Sequence, residues 1–437
     1  MQALRVRRSW RLGCIEECEA ETASRWLTSS NQGTAFDTIA RNPLCTVSIY
    51  MPLDCSDLAL VLGGGGARGA YQVGVLRAIA KRYPELRFPI LTGVSAGGVN
   101  TAHIASSRGP LLTTLDDLVR LWLSLTPDQV YRVDPWTLSR NAARWGWRLF
   151  GGGLDGAERV RALVDTAPLR EFLTRALVSD PDGTMPGIEA NIASGKLTAV
   201  ALSATNYTTT QSVTWVQGES IETWERPQRK SVRTRLTLDH VMASTALPLL
   251  FPAIRVGRDW YGDGGIRLTA PLSPAVHLGA SRIMTISTRY DRSRLEAEQP
   301  QVPGYPPPAQ VLGVLYNAIF LDLIDQDVAR MDRMNRLLER LNEAQRGNMR
   351  VIDILVIRPS RDLGKLALEY EPRLPKGFRF LTRGLGTRRT ASPDLLSLLM
   401  FQEDYLRRLL ELGEADAEAQ TDRIDKFIAS RRERTAA

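Results

Sequence analysis

Unbroken apolar runs, rather than alternating ones, mark the first clear elements of the chain. LALVLG from Leu58 is a short apolar run closed by glycine, and FPILTG from Phe88, apolar up to Thr92, reads as a second buried strand, the pattern of parallel strands covered on both faces. Between them Val73, Leu76 and Ala80 fall at helical spacing, and GGVNTAHIASS after the second run reads as a helix with a small-residue face. RIMTIST from Arg282 and VIDILVIRPS from Val351 read as further core strands. LTAVALSATNY and TTTQSVTWVQG alternate as two strands joined by a turn, and DHVMASTALP reads as a helix stopped by Pro248. Strand, turn and helix repeated in this order predict an α/β fold with a mostly parallel central sheet flanked by helices. In such folds the chemistry sits at the carboxyl ends of the strands.

The same pattern divides the chain. Residues 1–50 lack periodicity, with loop character from Asn31 to Thr46, and are expected to be an N-terminal extension; the alternative is a start at Met51. Residues 51–290 carry the α/β pattern. DRSRLEAEQPQVPGYPPPAQ, charged and then proline-rich, reads as a linker over 291–308. Residues 309–437 are expected to be mainly helical and to pack on the α/β part, with one long amphipathic helix from about Gln310 to Leu341 and further helices around SPDLLSLLMFQEDYLRRLLEL. No internal repeat is present.

Composition narrows the partners. The 437 residues have the apolar and charged fractions of a globular protein, and no run is long and apolar enough to span a bilayer. The N-terminus has arginines but no apolar core of a signal peptide, which points to the cytoplasm. A formal charge of +8 favours an anionic partner, either nucleic acid or an anionic lipid surface. Cys14, Cys18, Cys45 and Cys55 precede the glycine run at spacings that fit no zinc site, and no histidine is near them, so thiols in a reducing compartment and no metal are expected.

Gly64, Gly66 and Gly69 satisfy G-x-G-x-x-G between a strand and a helix. A dinucleotide site would also need an acidic residue at the end of the second strand, and a Walker loop would need Gly-Lys-Ser/Thr; neither is present, which argues against a nucleotide cofactor. Gly93-Val94-Ser95-Ala96-Gly97 is instead a G-x-S-x-G sequence between a strand and a helix, the setting of a serine nucleophile on a sharp, strained turn. The competing role for Ser95 is to cap the following helix. If Ser95 attacks an acyl carbon, the amides of the run from Gly63 to Gly69 can hold the developing oxyanion. Arg68 then either attracts an anionic head group or ties the loop by hydrogen bonds.

A serine needs a base. His103 lies in the helix leaving Ser95, His240 in the helix before Pro248, and His277 after APLSPAV; none sits in a strand-end loop. Asp263 in YGDGG is the other candidate, with Gly264 and Gly265 allowing close approach and burial able to raise its pKa. Asp-Gly is equally a hairpin dipeptide, and the residues alone leave the two readings level.

GGGGARGAYQVGVL, GVSAGG, and ASTALPLLFP followed by YGDGG, in this order, resemble the patatin-like phospholipases over about Leu58 to Ser287. The tail with SPDLLSLLMFQEDYL looks like that of bacterial members with a C-terminal extension. The resemblance implies a three-layer fold related to α/β-hydrolases and a Ser-Asp dyad without a catalytic histidine. Ser95 would be the nucleophile, Asp263 the base, and the backbone of Gly64, Gly65, Gly66 and Arg68 the oxyanion hole, supported by Gly69, Gly93, Gly97, Gly264 and Gly265. It further implies hydrolysis of lipid acyl esters through an acyl-serine intermediate, with no metal and no cofactor.

A lipid hydrolase meets its substrate at an interface, here an anionic membrane surface at the inner face. DPWTLSRNAARWGWRLFGGG combines Arg140, Arg144 and Arg148 with Trp145, Trp147 and Phe150, as a basic surface anchor would. Its alternative is a helix with tryptophans in the core. A thioesterase or acyltransferase with the same dyad, a silent lipid-binding protein and a nucleotide-binding protein are the competing functions.

Overall fold

A computed structural model describes residues 53–434 apart from 54, 132–163, 375–378, 380–385, 388–389 and 391–392. The N-terminal extension and the arginine- and tryptophan-rich stretch around Trp145 and Trp147 lie outside the described residues. The chain begins as its apolar pattern predicts, with β1 Leu58–Leu62, a glycine turn, α1 Gly69–Arg82, β2 Ile90–Gly93 and α2 Ala96–Ser106. Helices α3 Leu111–Ser124 and α4 Ala167–Ala176 lead to β3 Ala199–Asn206, β4 Ser212–Gly218, β5 Glu225–Arg226 and β6 Arg229–Arg233. Then come α5 Leu238–Ser244, β7 Ile254–Val256, β8 Asp259–Asp263 and β9 Arg282–Ile286. The C-terminal part holds α6 Pro308–Phe320, α7 Asp322–Leu338, β10 Asp353–Ile357, α8 Asp394–Leu399, α9 Glu403–Ala419 and α10 Thr421–Arg434.

One sheet runs in the order β10-β9-β1-β2-β3-β4-β6-β5. Its first five strands are parallel neighbours, and β4 turns the sheet antiparallel at β3. Alternate residues of β1 enter two different cores: Leu58, Leu60 and Leu62 join the large cluster with α1 and α9, while Ala59 and Val61 join Ile90, Ile283 and Ile352 on the opposite face. That split is why the strand reads as a continuous apolar run, since both of its faces are buried under helices. The fold is therefore a three-layer α/β architecture with a mixed, mostly parallel sheet.

Strand β10, beyond the proline-rich stretch, extends the same sheet by pairing with β9, from Asp353 opposite Arg282 to Ile357 opposite Ile286. Helix α9 lies along α1, where the hydroxyl of buried Tyr71 donates to Asp416 at 3.0 Å. The helix expected from Gln310 to Leu341 is interrupted at Leu321, where φ stretches to −111°, and is split into segments ending at Phe320 and starting at Asp322. The break lets both segments anchor: Phe320 and Leu321 are buried at the end of α6, while Asp327 of α7 accepts the Leu272 amide at 2.9 Å.

Candidate active site

The register of β3 decides where the site forms. Its first half pairs with β2, ending at Gly93 opposite Leu202. From Ala204 onward the same flank is taken by β8, running the other way, with Asp263 opposite Ala204. The carboxyl end of β2 and the carboxyl end of β8 thus converge beside β3. The turn after β2 carries Ser95 and the end of β8 carries Asp263. The hairpin of this region is elsewhere, at Gly257 between paired Val256 and Asp259, so Asp263-Gly264 is a strand end leading into a 3-10 turn.

Ser95 sits at φ 56° and ψ −132°, at the head of α2. For a residue with a side chain that conformation costs about 1–3 kcal/mol and must be held by its surroundings. Its amide donates to Ser244 Oγ at 3.1 Å, and that hydroxyl donates to the Ser203 carbonyl at 2.7 Å. The Val94 amide is tied to Leu62 O at 3.2 Å. The Ser95 side chain makes no capping bond, which removes the helix-cap reading and leaves the hydroxyl available at the positive end of the helix. Gly97 explains the tight fit of the elbow, because a Cβ there would stand 2.3 Å from the Leu62 carbonyl oxygen.

Asp263 is completely buried. Its backbone is pinned by Ala246 O at 2.9 Å and by the Thr205 hydroxyl at 2.9 Å. Oδ1 accepts the Gly265 amide at 2.9 Å, while Oδ2 is buried without a hydrogen-bond partner. Burial pushes the carboxyl up to about 7, and the nearby Ser95 hydroxyl and the Gly265 amide draw it partly back. The Ser95 hydroxyl is thus close enough to favour the carboxylate, although no well-aligned hydrogen bond joins the two groups.

The glycine turn faces this pair. A Cβ on Gly64 would lie 3.1 Å from the Ser95 Cβ, so the turn passes directly against the serine. Gly65 lies against Thr288, and Gly66 has a φ of 56° that suits glycine, with room for no side chain because the Leu398 carbonyl would be 2.1 Å away. Among the described backbone hydrogen bonds, the amides of Gly64, Gly65 and Gly66 donate in none. The Arg68 amide, expected among these donors, donates to Gly65 O at 3.1 Å and closes the 3-10 turn. The Arg68 side chain is buried, so its loop-tying role replaces attraction of a head group. Gly69 and Gly93 pack beneath the site against Trp122 and Thr101, and Gly264 and Gly265 against Ser203 and Phe320.

Several supports gave no local signal. Asn100 Nδ2 donates to Gly69 O at 3.0 Å, Trp122 Nε1 donates to Asn100 Oδ1 at 2.9 Å, and Gln72 Nε2 donates to Gly63 O at 3.0 Å. This buried chain stitches the elbow helix to the glycine turn.

A cavity partly open to solvent starts at Ser95 and Gly66. Its walls are almost wholly apolar and include Val99, Leu118, Trp122, Leu173, Phe251 and Phe401. A cavity with walls this apolar suits a ligand with a long hydrocarbon part.

The three histidines stand in other roles. His240 lies edge-on to Trp215 with ring centroids 4.6 Å apart, bonds Thr237 through Nδ1, and is pushed down by burial to about 4. His277 stacks on Trp224 at 4.7 Å, and burial also lowers it. His103 lines the cavity with Nδ1 3.1 Å from Ala176 O, and burial lowers it as well. His240→Ala and His277→Ala, assayed on a soluble ester, are expected to keep kcat within about threefold, whereas losing a general base costs ~10²–10⁴.

Among the described residues no helix is long and apolar enough to cross a membrane, and no group of acidic, histidine or cysteine residues could hold a metal ion. The family model Patatin-like phospholipase matches residues 60–276. No curated protein matches the sequence. Solved structures similar to the chain include VipD from Legionella pneumophila, at 14% identity over 82% of this chain and 67% of that one, with a TM-score of 0.28. Human GIVD cytosolic phospholipase A2 in complex with Methyl gamma-Linolenyl Fluorophosphonate is 12% identical over 85% of this chain and 58% of that one, with a TM-score of 0.39. The type III effector ExoU of Pseudomonas aeruginosa is 14% identical over 83% of this chain and 54% of that one, with a TM-score of 0.28. The segment 60–276, which holds Ser95, Asp263 and the glycine turn, is a patatin-like phospholipase domain, and the chemistry of its family is the hydrolysis of lipid esters.

Proposed function

We propose that this protein is a serine acyl hydrolase that cleaves fatty-acyl esters of lipids with a Ser95-Asp263 dyad. The observation that carries the reading is a strained serine at the head of an apolar cavity, beside a fully buried carboxylate with an unpartnered oxygen. Ser95 Oγ attacks the acyl carbon and its proton passes to Asp263. The carbonyl oxygen becomes an oxyanion held by the amides of Gly64, Gly65 and Gly66, each such donor being typically worth ~10²–10³ in rate. The C–O bond to the leaving alcohol then breaks as Asp263 returns the proton to that oxygen, leaving an acyl-serine. Water, deprotonated by Asp263, attacks the acyl-serine, and the fatty acid leaves as the proton returns to Ser95.

The buried carboxyl is suited to this exchange because a base with a pKa near the working pH is both available and strong enough to take a proton. No metal or cofactor enters the scheme. The apolar cavity takes the acyl chain, and an anionic membrane surface is the expected source of substrate for a chain of charge +8.

The reading is tested by exposing the purified protein to a fluorophosphonate and mapping the adduct. One adduct on Ser95, followed by release of fatty acid from a phospholipid panel, supports it; no adduct on folded protein sinks it. Acyl-CoA consumption with inert phospholipids would move the substrate to a thioester. The cavity makes a second prediction. Val99→Phe projects a ring into the acyl cavity and should lower kcat/KM for a C16 ester relative to a C4 ester by about tenfold or more, on the scale at which apolar pockets discriminate chain length. Competing hydrolysis of the two esters in one reaction gives the ratio.

A further inference from the structure

The glycine turn is held from outside the matched domain. Arg68, two residues after Gly66, is 2% exposed, and its Nη2 lies 2.5 Å from Oδ1 of Asp394, 326 positions away in the sequence. Its Nε donates to Ser397 Oγ at 2.7 Å and its Nη1 to Thr288 O at 3.4 Å. The second oxygen of Asp394 accepts from Asn317 Nδ2 of α6 at 2.5 Å, and Ser397 Oγ donates back to Asp394 O at 2.7 Å. The same stretch continues around the site. The Leu398 carbonyl closes on Gly66, the Leu399 carbonyl accepts the Tyr131 hydroxyl at 2.8 Å, and Phe401 stacks on Trp122 in the cavity wall.

The physical need for such a clamp is clear. A run of glycines has more backbone freedom than any other sequence, yet amides stabilise an oxyanion only if they are already aimed at it. A planar guanidinium bonded in three directions fixes the chain it hangs from, and a buried one requires an anionic partner to remain there. We infer that Asp394, with Ser397, is a positioning residue for the reaction proposed above. Through Arg68 it sets the attitude of the Gly64, Gly65 and Gly66 amides, and α8 is a working part of the site although it lies outside residues 60–276. This inference rests on the hydrolase reading.

The test compares wild type with Asp394→Asn, Asp394→Glu and Ser397→Ala. Asp425→Asn, which cuts the exposed pair between Arg82 and α10, serves as a control for loosening the C-terminal part in general. Each is assayed for kcat and KM on a nitrophenyl ester, for fluorophosphonate labelling rate and for thermal melting, with kcat expressed per reactive serine. Asp394→Asn and Ser397→Ala should lower kcat and labelling together by about tenfold to a hundredfold with KM little changed, the scale on which misplaced groups lose rate. Asp394→Glu should recover most of the loss, and Asp425→Asn should show none. Ser397→Ala removes one neutral hydroxyl and decides the matter if Asp394→Asn does not fold. Cooperative melting with wild-type kcat and labelling in Ser397→Ala and any folded Asp394 variant overturns the inference while the hydrolase reading stands. A wild type that takes no adduct on Ser95 overturns both.

Discussion

Ser95→Ala is expected to abolish the fluorophosphonate adduct and to bring ester hydrolysis down to what binding and the oxyanion donors alone can supply. Ser95 carries the hydroxyl at the head of the cavity, and the neighbouring Ser244 does not replace it, being engaged with Ser203 O and with the Ser95 amide. The loss should be ~10⁴-fold or more, the residual rate being the share that oxyanion donors and binding keep when a nucleophile is removed. Because Ala tolerates φ 56° no better than Ser, the fold should be no more stable than wild type. Intact mass after labelling, together with fatty acid release, checks this. An adduct on the Ala variant, or hydrolysis within tenfold of wild type, rules out Ser95 as nucleophile.

Asp263→Asn should lose ~10²–10⁴ in kcat, the contribution of a positioned general base, and should nonetheless gain stability. The sign follows from linkage. Burial raises the folded carboxyl to about 7 from an ordinary 3.8, so its stabilising share is complete below about pH 4 and is lost as pH rises through 7, where the native protein has to hold a buried charge. Asn has no charge to bury, so its advantage over wild type should be absent near pH 4 and grow steadily up to about pH 7, levelling off above it. Activity runs in the opposite sense: the base must be ionised, so wild-type kcat/KM should rise with pH through about 7 and level off above it, and this inflection should be missing in Asp263→Asn. Melting and rate profiles between pH 4 and 9 test both arms. A variant that retains the wild-type pH profile and rate removes Asp263 from the mechanism and returns attention to the histidines.

The site was legible where its parts are neighbours in sequence. Strand, sharp turn and helix around Ser95 are local, and glycine on both sides of a serine between an apolar run and a helix leaves few conformations. Asp263 was legible only as one of two readings. Whether Asp-Gly turns a hairpin or ends a strand depends on which residue faces Ala204, and that is a property of the sheet. Arg68 likewise offered two roles, and the choice between a head group and a structural anion was made by Asp394 and Ser397, which no short pattern links to it. The helix read across Leu321 shows the same limit, since its apolar spacing continues through a break that only the folded chain reveals.

By itself the sequence determined the α/β class, the buried strands and the pairing of a glycine turn with an elbow serine. Each is written in periodicity and residue type over a few positions, and local sterics and burial act at that range. The tertiary structure alone decided that β8 enters the flank of β3 beyond β2, that the carboxyl of Asp263 is thereby stripped of water beside Ser95, and that a carboxylate from α8 locks the glycine turn. Desolvation and long-range ion pairing depend on every element packed around a group, and those elements are assembled from residues hundreds of positions apart.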